Sequence, residues 1–143
     1  MNKTNIWNEY QQYKNTLVSE SMSRGDLLLT LYDELLKRLL KAELSLENQN
    51  YELFEASIQK CCDIVYYLER TLNYKYSISR ELKMFYDFFI YEFSRLKASR
   101  NVQIIHEVRP LIQDLREAFA EADKKEVNNP LLEKPVLSRL KKG

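Results

Sequence analysis

A chain of 143 residues with 45% apolar and 30% charged residues can bury one domain-sized core and is too apolar to be a disordered chain. Its 22 basic and 21 acidic residues cancel to a net charge of +1, which leaves no global field to draw in nucleic acid or an anionic membrane. Two glycines and three prolines, with only Pro110 before residue 130, predict long helices joined by tight connections.

The first segment, MNKTNIWNEYQQYK, has no apolar core of signal-peptide length, and no run in the chain approaches membrane-spanning length. The expected location is the cytoplasm, without membrane insertion. Residues 1–22 read as an N-terminal arm or short helix. In it Ile6, Trp7, Tyr10 and Tyr13 fall at helical spacing and are placed to lie across a groove. Ser23, with Asp26 three residues on, is an N-cap pairing that opens the first long helix.

Residues 23–123 carry four amphipathic stripes. The first is Leu28, Leu31, Leu35, Leu39, Ala42 and Leu46. The second begins near Asn50 and carries Phe54, Ile58, Cys61, Val65, Leu68 and Leu72, spaced alternately four and three apart. The third begins at Ser77 or Ser79 and carries Leu82, Phe85, Phe89, Phe93 and Leu96, with Tyr86 also expected in the core. The fourth begins near Asn101 and carries Ile105, Val108, Ile112, Leu115, Phe119 and Ala122. Apolar stripes of this period on four segments, joined by Asn48–Asn50, Asn73–Ser79 and Ser99–Asn101, predict an all-α, antiparallel four-helix bundle. Pro110 removes one helical hydrogen bond, but the stripe stays in phase across it, so the expectation is a kink rather than a break. Residues 124–143 end in NNPLLEKPVLSRLKKG and are expected to form a flexible tail.

Two helices are more apolar than their packing requires. The first has a second stripe, Leu29, Leu36, Leu40 and Leu44, and the two stripes together cover roughly 220° of arc. The third contains MFYDFFIYEF, in which Met84, Phe88 and Tyr91 lie opposite the core stripe. An apolar row of this size marks a partner site if the chain leaves it uncovered, and an amphipathic helix would be its natural occupant.

Chemistry-bearing groups are sparse. Cys61 and Cys62 are adjacent, about 100° apart on a helix, which disfavours a disulfide between them. With one histidine the chain cannot supply a di-metal carboxylate site, so neither a metal nor a cofactor is expected. No glycine-rich phosphate loop or nucleophile elbow is present. The best catalytic candidate is RNVQIIH, Arg100 to His106, which resembles the arginine–histidine signature of HEPN-type ribonucleases. The plainer reading has Asn101 as a helix cap and His106 on a flank, and the chain is expected not to be an enzyme.

Several spaced motifs together resemble the flagellin export chaperone family, FliS. They are the tyrosine pair Tyr10 and Tyr13, the helix opening DLLLTLYDELL around Leu31-Tyr32-Asp33, and ELKMFYDFFIYEFSRLKAS with Leu82, Tyr86, Asp87, Arg95 and Leu96. The last helix ends LREAF, Leu115 to Phe119, where the family typically ends in an alanine and a tryptophan. The chain departs from the family pattern at Arg24, where a proline is common, at Ser99, at Pro110 and in the glycine-free connection NYKYS.

The resemblance implies a bundle that binds the disordered C-terminal region of flagellin in the cytoplasm, prevents its premature polymerisation and helps deliver it to the flagellar type III export gate. An additional flagellar regulator is a further partner in this reading, and nucleic acid is not one. Tyr10 and Tyr13 would belong to an arm that competes with the client. Leu29, Tyr32, Leu36 and Leu40 would form one wall of the client groove, and Met84, Phe88 and Tyr91 a second. The alternative readings are a HEPN-like ribonuclease acting through Arg100 and His106, and a helical adaptor for another client.

Overall fold

The structure is a computed structural model that describes residues 24–125. The arm with Tyr10 and Tyr13, the cap at Ser23 and the C-terminal tail lie outside the described residues. Four helices follow one another: α1 (Arg24–Glu47), α2 (Tyr51–Arg70), α3 (Ile78–Ser99) and α4 (Val102–Lys125). Connections this short turn each helix back along the one before it, giving the antiparallel bundle that the stripes predict. Helix α1 packs on α2 and α4, and α3 packs on the same two helices. Hence α1 and α3 occupy opposite corners.

Local chemistry sets the ends. The Asn50 side chain accepts from the Leu53 N–H at 3.2 Å and caps α2. Asn101 does the same for α4, its side chain accepting from the Gln103 N–H at 3.0 Å. At α3 the expected serine cap is not made. Ser77 precedes the helix without a side-chain cap bond, and the Ser79 hydroxyl donates instead to the Asn73 carbonyl at 2.6 Å, tying down the connection. Arg100 ends α3 in the left-handed region (φ 55°), its N–H donating to the Leu96 carbonyl at 2.8 Å. Its guanidinium lies 3.8 Å from the centre of the Tyr51 ring, a cation–π contact that helps hold this non-glycine turn.

The core is the four stripes brought together. Leu31, Leu35, Leu39 and Ala42 meet Phe54, Ile58, Cys61, Val65 and Leu68, with Phe89, Phe93 and Leu96 of α3 and the α4 stripe closing the other side. Leu28, Leu46 and Leu72, at stripe ends, are only half-buried. Phe85 is half-buried too, and Tyr86 takes the central place on α3. Its hydroxyl lies 2.7 Å from that of Tyr32, so two buried phenols pair across the diagonal of the bundle. Burial first, and the neighbouring phenol second, push the Tyr32 hydroxyl well above its ordinary pKa, so the pair stays neutral. The Tyr32 ring also stacks on Phe119 at 5.5 Å, linking α1, α3 and α4. Helix α4 runs unbroken through Pro110, which faces solvent, where the carbonyl it leaves without a helical donor can reach water.

Candidate functional site

Ion pairs between helices fix how each helix is turned. Glu43 of α1 accepts from both Arg109 and His106 of α4, the latter at 2.9 Å. Asp33 accepts from Arg116 of α4 at 2.8 and 3.2 Å. This flank of α1 therefore faces α4. Leu36, seven residues before Glu43, and Leu40, three before it, share that flank. Across the bundle, Lys83 of α3 donates to Glu69 of α2 and to Asp87, which together push it up to about 12, Asp87 having the larger effect. With Lys83 on the α2 side, Met84 and Tyr91 point outward and Phe88 leans toward α4.

Two apolar strips therefore remain at the surface, one on the flank that α1 turns toward α4 and one on the outward face of α3. On α1, Leu40 and Leu44 are about half exposed, while Leu29 and Leu36 are half-buried and packed against the core. On α3, Met84 is 72% exposed, Tyr91 62% and Phe88 42%, values that place all three side chains at the surface of the described bundle. Arg95 sits 6.0 Å from the Tyr91 ring and gives this strip a cationic edge, itself bonded to Glu92 at 2.7 Å.

Two sequence expectations change. Tyr32 is fully buried and bonded to Tyr86, so it is a core residue and not a groove contact. A hydroxyl that finds its partner 54 residues away can sit inside, and the stripe alone does not reveal such a partner. The strips of α1 and α3 are also not facing walls of one groove. Their helices stand at opposite corners, and α4, about 10 Å across with its side chains, lies between them. Leu44 belongs with Leu40 on exposure, and its spacing of four residues from Leu40 is the signal that identifies it.

The catalytic candidates are tied to different helices. Arg100 lies against Tyr51 and within 3.9 Å of Glu55 on α2, while His106 bonds Glu43 on α1. Among the described residues no group of histidine, cysteine and acidic side chains could hold a metal ion. Burial pushes the Cys61 thiol well above its ordinary pKa, toward the unreactive protonated form.

The Glu43 cluster makes bundle stability depend on pH. Bonds from Arg109, and then from His106, hold the Glu43 carboxyl below its ordinary range. A carboxyl depressed in the folded state stabilises it above the unfolded value, near 4.3, and that gain is lost as pH falls through the depressed value. Glu43→Gln should cost roughly 1 kcal/mol at pH 7, with the gap to the parent narrowing in acid. Urea unfolding at pH 7 and pH 3 measures it, and an equal gap at both would show that the carboxylate charge is not its source.

A helical bundle that leaves two ordered apolar strips at its surface belongs to the class of helical binding proteins. The family described as "Flagellar protein FliS" matches residues 6–126, most of the arm segment and the whole bundle. The chain belongs to the FliS family. It is also 26% identical over 117 residues to the flagellar secretion chaperone FliS of Bacillus subtilis (strain 168), a match covering 82% of this chain and 87% of that protein. Family and relative together make this chain a flagellar export chaperone.

Proposed function

We propose that this chaperone binds the disordered C-terminal region of flagellin in the cytoplasm, keeps it from polymerising and helps deliver it to the flagellar type III export gate. The observation that supports the reading is the pair of apolar strips at the bundle surface, Leu36–Leu40–Leu44 on α1 and Met84–Phe88–Tyr91 on α3. Each strip repeats at three or four residues along its helix, the spacing at which an amphipathic partner helix presents its own apolar side chains. A client that folds on these strips buries its apolar side chains there and has none left for assembly. No described helix is long and apolar enough to cross a membrane, which accords with a client met in solution. In this reading Tyr10 and Tyr13 of the arm cover part of the site until the client displaces them.

Neither nucleotide nor metal enters the mechanism, because binding and release exchange one apolar cover for another. The affinity must be moderate for delivery at the export gate, and competition by a tethered arm lowers it without altering the strips. Co-purification with the host's flagellin, full-length and lacking its C-terminal segment, tests the proposal. Retention of the full-length protein and loss of the truncated one is the expected result. Equal retention of both would contradict it.

A further inference from the structure

An apolar cavity of about 470 Å³ opens at the end of the bundle where α1 begins, α2 ends, α3 begins and α4 ends. Leu28 of α1, Leu72 beyond α2, Leu82 of α3 and Phe119 of α4 contribute its walls. Three polar groups at its rim already have partners. The Thr71 hydroxyl donates to the Leu68 carbonyl at 3.0 Å, the Ser79 hydroxyl donates to the Asn73 carbonyl, and the Asn73 side chain accepts from the Lys75 N–H at 3.0 Å. A cavity lined mainly by leucine and aromatic side chains, with these rim groups already bonded, favours aliphatic groups over polar ligands. The cavity is also remote from Leu40 and Leu44, which lie toward the other end of α1.

Helix α4 brings the chain to this same end. Six residues beyond Phe119 the helix reaches Lys125, about 9 Å further along its axis. Eighteen residues follow, 126–143, and the match to the family ends at residue 126, so residues 127–143 lie beyond it. Four residues, Glu126 to Asn129, lead into PLLEKPVL, where Leu131 and Leu132 stand between Pro130 and Pro135. Two prolines five residues apart oppose a continuing helix and favour extended backbone. The four-residue spacer spans up to about 14 Å, enough to turn the chain back over Phe119.

We infer that residues 130–137 of this chain dock in cis in the bundle-end cavity, seating Leu131 and Leu132 against Leu28, Leu72 and Phe119. Tethering at the end of α4 gives the segment a high effective concentration, so a contact too weak to hold a free peptide tightly can still keep the cavity filled. The arm fits this place less well. Ile6, Trp7, Tyr10 and Tyr13 repeat at helical spacing and call for an elongated groove, whereas the 71–77 connection bounds this cavity at the bundle end. The inference stands apart from the client reading, since it involves neither surface strip.

Methyl NMR of the full chain and of the double variant Leu131→Asp, Leu132→Asp tests it. The methyl signals of Leu28, Leu72 and Leu82 should move by more than a linewidth, to the positions found in a chain ending at residue 126. Those of Ile58, Ile64 and Val65, in the buried core, should stay in place. A synthetic peptide of residues 127–143 added to the shortened chain should return the cavity signals toward those of the full chain. Cavity signals that are unchanged in both tail variants would overturn the inference. So would signals that move only when residues 1–16 are removed, which would make the arm the occupant. A shift that disappears on dilution of the full chain would assign the cavity to the tail of a second copy, and would equally overturn docking in cis. Were the double variant to disturb the core signals as well, the peptide titration would decide, and failure to restore the cavity signals would overturn the proposal.

Discussion

The double variant Leu40→Asp, Leu44→Asp should fold as the parent does and bind the flagellin C-terminal segment about 30-fold more weakly or worse. Both leucines are about half exposed, so charge at these positions replaces surface that the folded chain does not need for its core. Against a bound helix the same carboxylates would have to be stripped of water with no partner, and truncating a well-packed interface anchor alone commonly costs about 2 kcal/mol or more. Titration of parent and variant with one peptide measures the loss, and urea unfolding of both confirms that stability is kept. An affinity within threefold of the parent would remove the α1 strip from the site. The α3 strip would then have to carry the client alone, through Met84, Phe88 and Tyr91.

The largest effect on stability is expected at Phe89. Its ring is fully buried, with Phe85 and Phe88 at 6.3 and 6.0 Å between ring centres. Phe89→Ala removes that ring from the middle of α3 and should cost about 3 to 5 kcal/mol, because the surrounding helices cannot close fully on the space left. For a single domain of this size that is a large part of the whole stability, about 5 to 15 kcal/mol. Equilibrium unfolding in urea measures the change. A loss below 1 kcal/mol would mean that α3 repacks freely and that Phe89 is not a keystone of the core. Phe88→Ala, one residue away and much more exposed, should by contrast cost well under half as much.

The contrast between neighbours on α3 shows what periodicity can and cannot reveal. The fold was legible because each helix repeats its apolar residues at three and four, and because Asn50 and Asn101 stand where helices need an acceptor for their first N–H groups. Phe89, Phe93 and Leu96 could be assigned to the core from that spacing alone. Periodicity does not encode what a side chain meets on a distant helix. Tyr32 lies on the flank between the two stripes of α1, and only its hydroxyl contact with Tyr86 decides that it turns inward. The same limit applies to the site. Surplus apolar arc on α1 and α3 was visible, but whether two strips face each other depends on which helices are neighbours, and it is α4 that separates them. The cavity at the bundle end is made by five segments of the chain, each contributing one to three side chains, and no local pattern announces it.

Sequence motifs reached furthest where they combined chemistry with position. Leu31-Tyr32-Asp33 reads as one family feature, and the structure gives its three residues separate tasks. Leu31 is buried in the core, Tyr32 pairs with Tyr86, and Asp33 holds Arg116 of α4 from the surface. This run keeps α1, α3 and α4 in register, and with them the placement of both strips. Its contribution is therefore one of position, whereas Leu40 and Met84 stand at the surface, where the proposed client would bind.

Isothermal titration of the full chain with a peptide covering the flagellin C-terminal segment, at several temperatures, tests the central claim most directly. Saturable binding at one peptide per chain is expected, with a negative heat-capacity change that signals burial of apolar surface and folding of the peptide. Absence of binding, or binding equally tight by a flagellin lacking that segment, would contradict the account.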